Sequence, residues 1–228
     1  MAAGRICATI GRVETLGRRE RKKLQTRHLL ADTARRLFAE RGFEAVSVAE
    51  VAREADVAEA TVFNYFPTKE DLVYSGLESF ENELLAAIRD RPSGETILQA
   101  FGRFIREPRG FLAARDQQSA QRLLEISRMI ARSPALLARE QQALARYADS
   151  LATLLAAETG TPADDVTAQV AANALMGVHR ALVDYVRRRV LADEAVDQLA
   201  SDVHKLAEPA FALLEKGLAS YGRKDGQT

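Results

Sequence analysis

The stretch from Ser47 to Phe66 constrains the fold more than any other part of the chain. Ser47 and Glu50 have the spacing of a capping box, in which the hydroxyl accepts from the amide three residues on and the carboxylate reaches back. Val48, Val51, Ala52 and Ala55 then recur at helical spacing. Asp56 falls where the chain must turn, and Asp is among the few residues other than Gly that tolerate a left-handed backbone. Val57 would plug the corner, and Val62 and Phe66 resume the apolar stripe on a second helix. Small Ala52 would face the crossing point, where a bulky side chain would force the helices apart. Two short helices meeting at such a corner predict a helix-turn-helix, whose second helix enters the DNA major groove.

The rest of the chain is consistent with a helical protein. Its 228 residues suffice for one large or two small domains. Apolar residues make up 47%, enough for a sizeable core, while only 6 Pro and 13 Gly interrupt Ala-, Leu-, Arg- and Glu-rich segments. Formal net charge is zero, yet residues 1–30 carry eight Lys/Arg against Glu14 and Glu20, so a basic end adjoins an acidic remainder. That asymmetry is expected when one end meets phosphate. The single Cys7 cannot form an intrachain disulfide, and no CxxC pair is present, which fits a reducing cytoplasm. No run of 18 apolar residues predicts a membrane span, and Arg5 and Arg12 interrupt any signal-peptide core.

Taken in order, residues 1–18 read as a basic mobile arm, either plainly disordered or adding phosphate or minor-groove contacts. Leu30, Ala34, Leu37, Phe38 and Arg41 mark one face of a helix from about Arg19, with Gly42 as its C-terminal cap. Arg27 and His28 lie on its early turns, near where a phosphate backbone would pass. Pro67 closes the helix-turn-helix, and Thr68 with Asp71 reads as the start of another helix. Lys69 stands in its first turn, an awkward place for a cation unless an anion joins it. The stripe Leu72, Val73, Leu77, Phe80, Leu84, Leu85, Ile88 predicts that this helix runs unbroken to about Arg91, with a domain boundary at Pro92-Ser93-Gly94.

Several of these elements together resemble the N-terminal signature of TetR-family transcriptional regulators. The matching residues are Leu37-Phe38-Ala39-Glu40-Arg41-Gly42-Phe43, then Ser47-Val48-Ala49-Glu50-Val51-Ala52, then Val57, Thr61-Val62-Phe63-Asn64-Tyr65-Phe66 and Lys69-Glu70-Asp71-Leu72. The match covers roughly residues 20–75, about a quarter of the chain. The resemblance implies an all-α homodimeric repressor: a three-helix DNA-binding domain over residues 19–68, a connecting helix over 69–91, a C-terminal ligand-binding and dimerisation domain over 92–222, and a tail over 223–228. It implies Thr61, Phe63, Asn64, Tyr65 and Lys69 at the DNA surface, with Arg27 and Ser47 as further candidate contacts. Asn64 suits an adenine edge, Thr61 a thymine methyl or a phosphate, and the Tyr65 hydroxyl a phosphate. Three positions depart from the family pattern. Asp56 stands where many relatives have Gly, Ala58 where they have a capping Ser or Thr, and Phe63 where they have Tyr.

Beyond Pro92 the apolar periodicity predicts about five more helical segments and no strand. The last two, about Ala163–Leu191 and Asp193–Tyr221, each carry more apolar perimeter than one packing partner needs. The first of them is rich in Ala168, Ala171, Ala172, Ala174, Gly177 and Ala181. The pair reads as a homodimer interface or as intrachain core, and the resemblance favours the dimer. Phe101, Phe104, Phe111, Met129, Tyr147, Asn173, Met176 and His179 offer an apolar lining with a few polar anchors for a small-molecule effector, or simply core. His28, His179 and His204 are scattered, and no HExxH, GxSxG, P-loop or Gly-rich nucleotide fingerprint occurs. Neither an enzyme nor a metal or cofactor site is therefore expected. The reading is a ligand-responsive repressor dimer on a palindromic operator. A regulator without inducer or acting as an activator, and a helical carrier or enzyme, are the alternatives.

Overall fold

The computed structural model describes residues 17–75, 78–108, 113, 116–192 and 194–217. They form ten α-helices and no strand, in two compact units divided between Ser75 and Gly76. Among the described residues, no helix is long and apolar enough to cross a membrane.

The first unit holds α1 (Arg18–Arg41), α2 (Val48–Glu54), α3 (Glu59–Tyr65) and α4 (Lys69–Val73). The stripe Leu30, Ala34, Leu37, Phe38 is buried, and α1 packs against α2 and α4. Gly42 ends α1 at φ 87°, a conformation open to glycine, and its N–H donates to the Phe38 carbonyl at 2.8 Å. The reversal lets Phe43 fold back edge-on to Phe38, with ring centroids 5.1 Å apart. Val46, Val51, Ala52, Ala55, Val62, Phe66 and Leu72 complete the core. Arg36 pairs with Glu54 at 2.6 Å and Arg41 with Glu50 at 2.7 Å, tying α1 to α2 along the surface.

The second unit holds α5 (Glu78–Arg89), α6 (Ile97–Arg106), α7 (Gln117–Arg132), α8 (Pro134–Thr159), α9 (Val166–Leu191) and α10 (Val196–Lys216). Its long helices start and stop where local chemistry dictates. Ser133 caps α8, Pro134 fills the first position where no N–H is needed, and Gly160 ends the helix in the left-handed region. Asp165 caps α9 through the Ala168 amide. The α8–α9 pair is the spine, with α5, α6, α7 and α10 laid against it. Leu84 and Ile88 of α5 are buried in the same core as Phe101, Phe104, Leu151, Leu155, Leu175 and Phe211.

Two expectations change here. The helix anticipated over residues 69–91 is two helices, the first ending at Val73 with a turn at Tyr74–Ser75. The β-branched, aromatic, Ser and Gly residues from Val73 to Gly76 are all weaker helix formers than the segments they separate. Because α5 is anchored in the second unit's core, Pro92-Ser93-Gly94 forms a turn inside that unit, and the units divide nearer residue 75. The small residues of α9 also divide by face. Ala168 and Ala172 point inward, whereas Ala171, Ala174, Gly177 and Ala181 are exposed. Val166 and Val170 continue the outward stripe at 74% and 62% exposure, and a Cβ built on Gly177 would meet no atom within 4 Å. On α10, Leu199 and Ala207 turn inward and Leu206 outward.

Candidate nucleic-acid interface

The reading helix is built from both ends of the corner. Ser47 and Glu50 form the expected capping box: the Ser47 amide and hydroxyl donate to Glu50 Oε2 at 2.8 and 3.0 Å, and the Glu50 amide donates to Ser47 Oγ at 3.2 Å. The Ser47 amide, then Arg41 and the Ser47 hydroxyl, hold the Glu50 carboxyl down at about 2 against an ordinary 4.5. Ser47's hydroxyl proton is thereby committed to Glu50, and its role is that of a cap. Asp56 takes the left-handed backbone at φ 54°, and the Val57 amide donates to the Ala52 carbonyl at 3.0 Å across the corner. Ala52 is buried at the crossing.

The second helix, α3, turns Val62 and Phe66 inward. Glu59, Ala60, Phe63 and Asn64 are exposed, and Thr61 and Tyr65 are half-buried on its flanks. Phe63 is the large apolar side chain on this face, at 45% exposure. Ala58 leaves α3 without a side-chain cap at its N-terminus. Thr68 and Asp71 cap α4 reciprocally, with Thr68 accepting from the Asp71 amide at 3.3 Å and its own amide donating to Asp71 at 3.0 Å. Lys69 projects back over the Phe43 ring, Nζ 4.2 Å from its centroid and 5.8 Å from that of Phe38. The rings thus steady this cation within the fold, so its position no longer requires an anion to explain it. Arg27 also turns inward. Its Nη1 donates to the Tyr65 carbonyl at 2.8 Å, and its guanidinium lies 4.4 Å over the Phe66 ring.

The second unit treats the anticipated effector lining unevenly. Phe101, Phe104, Tyr147 and Met176 are buried in the main core. Phe104, Tyr147 and His179 gather around Phe80, with ring centroids at 5.5, 5.5 and 4.7 Å, His179 stacked on it. Burial pushes the Tyr147 phenol above its ordinary value. Met129 is half-buried on α7. Asn173 faces outward and donates to the Gln169 carbonyl at 2.8 Å, so it is no anchor inside this cluster. Phe111 lies outside the described residues, as does Cys7. Two surface grooves on this unit are lined instead mainly by polar residues, one by Glu95, Gln99, Arg103, Arg106, Glu107 and His204 with Pro108, the other by Gln117, Gln118, Gln121, Arg122 and Glu125. Among the described residues, no group of three or more His, Cys, Asp or Glu is placed to hold a metal.

Comparison with known proteins matches both units. Residues 30–74 match the model of bacterial regulatory proteins of the tetR family, and residues 95–219, more than half the chain, match the MftR C-terminal domain. The chain belongs to the TetR family of DNA-binding transcriptional regulators. Among curated members of the TetR family, TcmR of Streptomyces glaucescens is 30% identical over 151 residues, 65% of this chain and 67% of that one. MftR of Mycobacterium tuberculosis is 28% identical over 165 residues, 69% and 78% of the two chains. Among solved structures, the SmeT–triclosan complex aligns at TM-score 0.50 and 16% identity, covering 90% of this chain and 99% of that one. NalD of Pseudomonas aeruginosa, the secondary repressor of the MexAB-OprM multidrug efflux pump, aligns at TM-score 0.50 and 21% identity over 84% of this chain and 96% of that one. These two share the TetR fold. Two features of the site escaped sequence reasoning. Phe80, the hub of the aromatic cluster, was legible only as one more apolar position on its helix. The inward turn of Arg27 carried no local signal, because its partner lies 38 residues away.

Proposed function

We infer that this TetR-family regulator represses transcription as a dimer on a palindromic operator and is released by a small, largely apolar effector. The observation that carries the DNA part is the outward face of α3, where Phe63 and Asn64 are exposed and Thr61 and Tyr65 flank them. Asn64 presents an amide that pairs with adenine N6 and N7. Phe63 has no hydroxyl for a phosphate, and its exposed ring suits a thymine methyl instead. Tyr65 and Lys69 supply phosphate contacts at the edge of this face, Lys69 leaving its aromatic seat to do so.

The dimer reading rests on the outward stripe of α9, Val166, Val170, Ala174, Gly177 and Ala181, whose spacing places them along one helix face. Apolar and small side chains left in solvent on a long helix support a partner helix at close approach. A two-fold dimer places its two reading helices on half-sites about 34–36 Å apart, or a multiple of that.

The effector reading rests on the Phe80, Phe104, Tyr147 and His179 cluster, an apolar lining with a phenol and an imidazole as polar anchors. Its rings already touch, so an effector must separate them. Phe80 belongs to α5, the helix that follows the division between the units, so repacking there is felt at the link to the DNA-binding unit. The effector weakens DNA binding only to the extent that it prefers the non-DNA conformation.

Selection of duplexes from a randomised pool tests the reading. The expected product is a palindrome with half-sites one or two helical turns apart, and Asn64→Ala is expected to change the preference at one position of each half-site. Enrichment of a single unrepeated site would reject the dimeric operator, and an identical selected motif for Asn64→Ala would reject base readout by that residue.

A further inference from the structure

The reading helix has little of its own to hold it. At seven residues it is too short to be stable in isolation, and its N-terminal residue Ala58 provides no side-chain cap. At the other end, the last four carbonyls of a helix lack intrahelical partners. The Val62 carbonyl takes the Phe66 amide at 2.9 Å. The Tyr65 carbonyl takes Nη1 of Arg27, reaching across from α1 at 2.8 Å. The same guanidinium covers the buried Phe66 ring at 4.4 Å. One side chain therefore grips the final residue of α3 and the residue that packs behind it. A cation suits a helix C-terminus, and a planar guanidinium donates and stacks at once, which an ammonium cannot.

We propose that Arg27 is a positioning residue of the reading head, fixing the C-terminal turn of α3, with Asn64 and Tyr65 on it, and not a phosphate contact. The proposal rests on α3 being the element that reads DNA. Removing the clasp leaves the electrostatic attraction to DNA in place, because the guanidinium faces the protein. What is lost is the orientation of Asn64 and Tyr65, and hence the advantage of the preferred site over any other duplex.

The test compares wild type, Arg27→Ala and Arg27→Lys on the duplex that wild type selects from a randomised pool and on an unrelated duplex of equal length. Binding is measured across a salt series, and amide exchange of α3 is followed in the free proteins. Both variants are expected to lose affinity for the selected duplex, Arg27→Ala by about tenfold, the scale of a lost hydrogen bond to a charged group. Both should bind the unrelated duplex as wild type does, keep the wild-type slope of log affinity against log salt, and show faster exchange in α3 with unchanged exchange in the middle of α1. A shallower slope for Arg27→Ala, by about 0.9, restored by Arg27→Lys, would make Arg27 a phosphate contact and overturn the proposal alone. Unchanged α3 exchange would overturn it too. A wild-type protein that enriches no duplex would overturn the DNA-reading assignment and the proposal with it.

Discussion

Gly177 sits in the middle of α9 on the outward stripe, and a side chain there has two opposite fates. Within one protomer a Cβ at Gly177 meets nothing within 4 Å. If solvent covers this face, Gly177→Ala removes a helix-interior glycine and stabilises the fold by about 1 kcal/mol. If a second copy crosses here, the added carbon enters a close helix–helix contact, and Gly177→Leu more so. Overpacking costs about 1–3 kcal/mol per insertion, and two-fold symmetry applies it twice. The dimer then weakens by about 2–6 kcal/mol, raising its dissociation constant about 30-fold to about 20,000-fold. Sedimentation velocity over a concentration series reads this directly, and thermal unfolding of the same samples reports the protomer. The expected result is dissociation of Gly177→Leu at concentrations where wild type is dimeric. Unchanged association with a raised melting temperature would show that the stripe faces water and refute the interface.

Three further outcomes are expected. Ala58→Ser should give α3 the N-terminal cap it lacks and raise stability by about 1 kcal/mol in denaturant titration, and no gain would mean that the Ala58 amide neighbours are already satisfied. The Glu50 carboxyl titrates lower in the folded protein, about 2, than its ordinary 4.5, so its contribution is full above pH 4.5 and lost as pH falls towards 2. The melting-temperature gap between wild type and Glu50→Gln should therefore shrink on acidification from pH 5, and a constant gap would contradict the capping box as the cause. Replacing thymine by uracil at each position of the selected operator should weaken wild type at a position where Phe63→Ala is insensitive, and equal sensitivity of the two proteins would remove Phe63 from the thymine contact.

What the sequence disclosed and what it withheld follow from range. Capping boxes at Ser47–Glu50 and Thr68–Asp71 involve residues three apart, and the left-handed turn at Asp56 and the stop at Gly42 belong to single residues. All four were legible. The break between α4 and α5 was hidden because Val73, Leu77 and Phe80 keep a helical period across it, so periodicity outvoted the weak helix formers between them. The anchors expected in the effector lining follow side-chain chemistry, which does not disclose that Asn173 is exposed and bonded to the Gln169 carbonyl while Met176, three residues on, is buried. The helix-end position of Lys69 points to an anion, but its seat over the rings of Phe43 and Phe38, more than twenty residues upstream, has no local signal.

The central claim, that the α3 face and Lys69 meet DNA, is tested most directly by a salt-resolved binding titration on the selected operator. Wild type is compared with the Asn64→Ala, Tyr65→Ala, Lys69→Ala triple variant, with folding verified by its melting temperature. The triple variant is expected to lose preference for the operator, and its salt slope to become shallower by about 0.9 for each phosphate contact removed. A folded triple variant that binds the operator with wild-type affinity and slope would place the DNA contact elsewhere on the molecule.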